Sequence, residues 1–239
     1  MDYIKIAISA LIAAALITTP ASAAQSAGPG GNKYVALTFD DGPHPVYTGP
    51  ILDILEEKGA KATFFVVGFR AERHPEVLRR MVRLGCEIGN HTWSHADLSK
   101  LSDSAIRNEL EKTSDAIRAA AGVVPALFRP PYGSIRTSSL PSIPMQETLW
   151  TVDSRDWVSK NAAKVTAAAV NGARNGDIIL LHDFYASTRD ALPGIIDGLR
   201  ERGFTLVTVS TLRRLEKLGE VSISRKWHDH LYVPPAAGQ

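Results

Sequence analysis

Short apolar runs alternate with stretches in which apolar residues return every three or four positions, from Tyr34 to about Leu215. The first rhythm predicts buried strands and the second amphipathic helices. Tyr34–Phe39 reads as a strand that ends in Asp40-Asp41 and a Gly42-Pro43 turn. Ile51, Leu52, Ile54 and Leu55 predict a helix closed by Gly59, and Ala62–Val67 a second strand. A helix over 75–84 carries Val77, Leu78, Met81 and Val82 on one face, ahead of a short strand at Glu87–Asn90. Ser102 predicts the N-cap of a long helix to Ala121, with Ile106, Leu110 and Ile117 turned inward. Further strands are expected at 126–128, 148–152, 178–181 and 205–209, and helices at 164–173 and 192–201. Such alternation implies an α/β fold on a parallel sheet, doubly wound or closed into a barrel. Periodicity does not choose between the two. It shows no repeat and no boundary within 33–217.

The two ends of the chain break this pattern. Lys5 and the apolar run from Ile6 to Ile17, then Pro20 and Ala21-Ser22-Ala23, have the order of a signal peptide with a small-residue cleavage site. The run is too short to span a bilayer as a mature helix. We expect residues 1–23 to be removed, 24–32 to be a Gly/Ala/Pro/Ser linker, and 218–239 to be a tail outside the folded domain at 33–217. A secreted or periplasmic protein follows, with no membrane span after cleavage. Lys and Arg number 27 against 25 Asp and Glu, so no basic excess points to nucleic acid. The single cysteine, Cys86, excludes an intramolecular disulfide and a cysteine-rich zinc site, and reads as a small buried apolar residue. A monomer is expected.

Polar residues gather where the predicted strands end, which is where α/β sheets and barrels carry their chemistry. The strand ends supply Asp40-Asp41, His91-Thr92-Trp93-Ser94-His95, Arg129-Pro130-Pro131-Tyr132, Asp153-Ser154-Arg155-Asp156-Trp157 and His182-Asp183. A His-x-x-x-His pair can present two imidazoles to one metal ion from a helical turn, and a carboxylate from Asp40-Asp41 would complete the set. Adjacent carboxylates at a buried strand end repel one another, so a cation there is the economical explanation. The bland alternative for the pair is a turn or cap before Gly42-Pro43. Arg129, stiffened by two prolines, suits pairing with a carboxylate. His182, near Asp156, has the pKa range for general acid work. His44 and His74 sit beside prolines and read as structural, and His228 and His230 as solvated tail residues.

Thr38-Phe39-Asp40-Asp41-Gly42-Pro43, His91-Thr92-x-x-His95, Arg129-Pro-Pro-Tyr132, Asp153-x-x-Asp156-Trp157 and Leu180-Leu181-His182, in that order, resemble the five motifs of the NodB-homology polysaccharide deacetylases, carbohydrate esterase family 4. The resemblance covers about Lys33 to Leu215. It implies a single-domain distorted (β/α) barrel. It also implies Asp41, His91 and His95 as ligands of one divalent metal, with zinc the usual occupant. Asp40 takes the part of general base, paired with Arg129, and the Tyr132 backbone amide that of oxyanion donor. Asp156 would orient the catalytic His182, and Trp157 and Leu180 would line the acetyl pocket. One departure stands out: Pro141 and Pro144 interrupt a segment, 134–146, that is usually a helix in the family.

The implied activity is metal-dependent removal of N-acetyl groups from N-acetylglucosamine oligomers or polymers such as chitin oligomers or peptidoglycan, releasing acetate. Two other readings stay open. The same scaffold can serve O-deacetylation of acetylxylan, or hydrolysis of a small cyclic amide or imide, which secretion disfavours. An inactive carbohydrate-binding relative ranks last, because every matching position is filled.

Overall fold

The computed structural model describes residues 32–136, 138–139 and 143–224. The expected leader, most of the linker, Pro141, and the tail residues Trp227, His228 and His230 lie outside these residues. In chain order the elements are β1 (Lys33–Asp40), α1 (Thr48–Glu57), β2 (Thr63–Val66), α2 (Gly68–Arg73), α3 (Pro75–Arg83), β3 (Glu87–Asn90), α4 (Asp103–Ala121), β4 (Leu127–Phe128), β5 (Gln146–Glu147), β6 (Val152–Asp153), α5 (Asp156–Ser159), α6 (Ala162–Gly172), β7 (Asp177–His182), α7 (Ala186–Glu201), β8 (Phe204–Leu206) and α8 (Val209–Lys217).

All strand pairs are parallel, in the order β5-β4-β3-β2-β1-β7-β6. β8 pairs with the opening residues of β1, whose closing residues pair with β2. The sheet curls into the distorted barrel expected of the family, and it stays open because no ladder joins β5 to β6 among the described residues.

Strand geometry sends alternate residues of β1 to opposite faces. Val35, Leu37 and Phe39 pack in the helical layer with Ile51, Leu52, Leu55, Leu192 and Ile196. Each such side chain contributes about 1.5–3 kcal/mol on burial. Ala36 packs inside the curl with Phe65, Leu127 and Ile178, and Thr38 and Asp40 continue that interior face. In the β1–β7 ladder Asp40 is paired with His182 and Thr38 with Leu180. The register alone therefore sets an acidic and an imidazole side chain next to each other at one end of the barrel. Gly89 makes room there: a Cβ at that position would meet the Phe65 ring at 2.5 Å.

Long elements follow the sequence pattern. Ser102 caps α4 by accepting from the Ala105 N–H, Gly122 ends it at φ 72°, and Ile106, Leu110 and Ile117 are buried. The expected apolar face of α3 holds only in part, since Leu78 and Met81 are buried but Val82 is 38% exposed. Three expectations are corrected. The strand expected at 148–152 is two short strands separated by residues 148–151, because the Thr148 and Leu149 carbonyls accept from Arg129 instead of from a neighbouring strand. The strand expected at 205–209 stops at Leu206, because the Thr208 hydroxyl accepts from the Thr211 N–H and caps α8. The helix expected from 192 begins at Ala186 and runs through Pro193. No α-helix occurs among the described residues of 134–146.

Candidate active site

Asp41 leaves β1 at φ 78°, a left-handed conformation that costs a non-glycine residue energy. Its Oδ1 lies 3.4 Å from His91 Nε2 and 3.1 Å from His95 Nε2. Ligand atoms of the three side chains lie within 4.8 Å of one another. His91 and His95 do not sit on a helical turn, as their spacing suggests. They lie on a loop after β3 in which Thr92 and His95 are both left-handed. That loop is tied down from two sides. The Asn90 side chain accepts from the Thr92 N–H and donates to the Leu110 carbonyl and Ser114 hydroxyl of α4, while Glu109 accepts from both the N–H and the hydroxyl of Ser94.

The donor set fits a divalent cation. His91 Nδ1 is 2.7 Å from the Arg129 carbonyl, which can only accept, so that nitrogen carries the proton and Nε2 presents a lone pair. Asp41 Oδ1, facing it, is buried with no hydrogen-bond partner. Lone pairs aimed at one another inside a protein call for a positive charge between them. Burial raises the Asp41 pKa, and positive charge beside it, which imidazolium forms of His91, His95 and His182 would supply, brings it well below the usual range, the same demand that a bound cation would meet.

Asp40 is on the interior face beside this cluster, its Oδ1 2.7 Å from Arg129 Nη1. Arg129 is fully buried. It also donates to Thr38 Oγ1 and to the Thr148 and Leu149 carbonyls, and its guanidinium carbon lies 4.1 Å from the Phe65 ring centroid. All three guanidinium nitrogens donate, in four hydrogen bonds, which holds the group that positions the Asp40 carboxylate.

Across the β1–β7 ladder, His182 Nδ1 is 2.7 Å from Asp156 Oδ1. Asp156 is fully buried and also accepts from the Trp157 and His182 backbone N–H groups and from the Thr188 hydroxyl. Burial works against an imidazolium here, yet the charge and hydrogen bond of Asp156, with help from Asp41 and Asp40, push His182 up to about 10. Its Nε2 is left as the nitrogen for proton transfer.

Tyr132 adopts φ 63° and ψ 7° in a tight turn over 131–133, and its ring meets His95 edge-on at 4.9 Å. Trp157 is half-buried on α5, and Leu180 is buried on β7. All the residues singled out in the five motifs therefore reach one end of the barrel. Sequence reasoning left Asp183 without a role. It is buried behind the Asp40–Gly42 turn, accepts from the Thr48 hydroxyl at 2.5 Å, and leaves no room for a Cβ on Gly42. Burial pushes its carboxyl up to about 7, helped by Asp41 and Asp40 and opposed by the Thr48 bond. Its sequence signal was an acid directly after a buried strand.

Residues 27–143 match the family model described as polysaccharide deacetylase. The peptidoglycan-N-acetylmuramic acid deacetylase of Bacillus subtilis is 43% identical over 188 residues, covering 79% of this chain and 40% of that protein. A solved structure of the B. subtilis peptidoglycan deacetylase superposes with TM-score 0.76 at 42% identity, over 79% of this chain and 94% of that one. The chitooligosaccharide deacetylase of Bradyrhizobium is 37% identical, over 74% of this chain and 89% of that one. An acetyl xylan esterase from Clostridium thermocellum, solved with a cobalt ion, gives TM-score 0.74 at 39% identity, over 77% and 92% of the two chains. The chain spans about two fifths of the length of the first curated relatives it matches. With the five motifs assembled at one barrel end and likeness of this extent, the chain belongs to the polysaccharide deacetylase family.

Proposed function

We propose that this protein is a secreted, metal-dependent hydrolase that removes N-acetyl groups from N-acetylglucosamine-containing oligo- or polysaccharides of chitooligosaccharide or peptidoglycan type, releasing acetate. In this reading residues 1–23 are the signal peptide, 24–32 a linker, 33–217 the catalytic domain and 218–239 a tail. The observation that carries it is the placement of Asp40 and His182 as ladder partners, beside the Asp41–His91–His95 donor set. A base and an acid on either side of a cation site are what amide hydrolysis needs.

A divalent ion, zinc in our reading, held by Asp41, His91 and His95, would supply Lewis acidity at the acetyl carbonyl. The protein's own groups do the rest. Asp40 takes the proton of the attacking water, and Arg129 holds that carboxylate in position through the 2.7 Å contact. The Tyr132 backbone N–H stabilises the oxyanion, and as a fixed dipole it needs no reorganisation. An amine does not leave as its anion, so His182 delivers a proton to the sugar nitrogen from Nε2. Asp156 keeps the ring oriented and charged for that step. Trp157 and Leu180 line the pocket for the acetyl methyl.

The test is acetate release from chitin oligosaccharides and from peptidoglycan by the purified protein, with added zinc and after chelation. Activity that chelation abolishes and metal restores supports the reading, and silence of the metal-loaded protein on both substrates defeats it. The likeness to the C. thermocellum esterase favours acetylxylan as a second substrate. The leaving group separates the two: a sugar alkoxide departs with less help than an amine, so His182→Ala should damage amide cleavage more than ester cleavage.

A further inference from the structure

A run of aromatic rings leads away from the proposed acid. Ring centroids are 6.1 Å apart for His182–Tyr185, 6.0 Å for Tyr185–Phe184, 4.6 Å for Phe184–His44 and 4.7 Å for His44–Tyr47. Phe184 and Tyr185 come one residue after the end of β7, beyond Asp183, and His44 directly follows the Asp41–Pro43 turn, so the run lies on the same barrel end as the site. The rings are half-buried. Aromatic surface of this kind, with polar groups at its edges, is what pyranose rings pack against in sugar sites.

Several cations flank the strip. Arg70, at the start of α2, places its guanidinium carbon 4.7 Å from the Phe184 centroid and 5.0 Å from that of Phe69. Arg73 lies 5.4 Å from Phe69, and Lys160 5.8 Å from Tyr185. Among the described residues none of these three side chains has an ion-pair or hydrogen-bond partner. Arg189, over Tyr47 at 5.9 Å, differs: Asp190 neutralises it at 2.7 Å. Arg70 is half-buried, its guanidinium lies over both the Phe69 and Phe184 rings, and its N–H groups have no partner among the described residues. A stacked guanidinium is pre-oriented, and its fork matches a carboxylate with two charge-assisted bonds where a neutral hydroxyl makes one weaker contact.

We propose that Arg70, held on Phe184, is the carboxylate-recognising residue of a glycan subsite on this strip, and that the protein prefers acetylated amino-sugar chains bearing carboxylates, as peptidoglycan does, over neutral ones. The proposal rests on the deacetylase reading and narrows its substrate class. Arg73 and Lys160 add to the local potential without a fixed geometry.

The experiment measures binding, so it does not depend on turnover. Soluble peptidoglycan fragments with free carboxylates, and the same fragments methyl-esterified, are titrated calorimetrically into the full-length protein. The free acid should bind roughly tenfold more tightly, and the gap should shrink as salt rises. Arg70→Ala should erase the difference between the probes and Arg70→Lys restore part of it, while Arg189→Ala keeps it. Equal affinities in the wild type overturn the proposal, as does a difference that survives Arg70→Ala or one that Arg189→Ala removes equally. Acetate in the same samples reports on the activity separately. Turnover with equal affinities sinks the subsite alone, and charge-selective binding with no acetate from the metal-loaded protein sinks the deacetylase alone.

Discussion

Asp41 and Asp156 are both carboxylates beside a strand end, each within reach of an imidazole, yet their surroundings are opposite. Asp156 is fully buried and accepts four hydrogen bonds, from the Trp157 and His182 N–H groups, the Thr188 hydroxyl and His182 Nδ1. Asp41 is strained at φ 78°, and its Oδ1 faces two imidazole nitrogens with no hydrogen bond at all. The polypeptide completes one centre by itself, and in the proposed reading it leaves the other for a cation to complete. A half that is self-sufficient and a half that is not should respond differently to the same perturbations.

The largest effect should come from breaking the incomplete half. Chelation, or Asp41→Ala, is expected to lower acetate release by 10³-fold or more, since Lewis-acid assistance supplies several kcal/mol of barrier lowering. Thermal melting should show a folded protein in both cases. Retention of full activity by a demonstrably metal-free sample would erase the contrast between Asp41 and Asp156. Next in size is Asp40→Asn. Loss of a general base costs roughly 10²–10⁴-fold in rate. Fully buried Arg129 would also lose its charge partner, a change worth about 3–5 kcal/mol of stability. Asp40→Asn should therefore be both slow and less stable, whereas Asp41→Ala is mainly slow.

This contrast was only half legible in the sequence. The motif order placed Asp40, Asp41, His91, His95, Arg129, Asp156 and His182 at strand ends, because a strand followed by a polar loop is a local pattern. The partners that tune them are not local. Thr188 reaches Asp156 from 32 positions away, Thr48 reaches Asp183 from 135, and Glu109 anchors Ser94 from α4. No periodicity announces such contacts. The open seam between β5 and β6 was missed for a related reason. Thr148–Val152 is apolar enough for a strand, but the fate of its carbonyls depends on where the Arg129 side chain lies. Helix α4, with a Ser cap, a glycine stop and a clear apolar face, was readable because each signal lies within the element.

The complete half can be tested through pH. Asp156, with Asp41 and Asp40, pushes His182 up to about 10, and a cation held by Asp41 would take away part of that push, so acetate release should fall on the alkaline side at or below that value. The same sign governs its share of folding stability, which is fully present below about 6.5 and lost as pH rises toward 10. Asp156→Asn removes the leading contributions that raise this pKa and leaves the burial that lowers it. The alkaline limb of kcat should therefore move to lower pH, with a loss of roughly 10²-fold at neutral pH. A limb that does not move would mean that another group delivers the proton.

The smallest expected effect is the most discriminating. Thr188→Val is close to isosteric and removes one of the four bonds to Asp156, the 2.7 Å contact to Oδ2. A hydrogen bond to a charged group is worth about 1.5–3 kcal/mol, but here the His182 N–H still satisfies the same oxygen at 2.7 Å. The cost should sit at the low end: about 1.5 kcal/mol of stability by chemical denaturation, less than tenfold in kcat, and a smaller downward shift of the alkaline limb than Asp156→Asn produces. Such a graded response is what a carboxylate shared among several donors gives. If Thr188→Val were as damaging as Asp156→Asn, the hydroxyl would be indispensable to the orientation of the carboxylate. The half that the polypeptide completes would then hang on a single contact, much as the Asp41 half, in the proposed reading, hangs on a single cation.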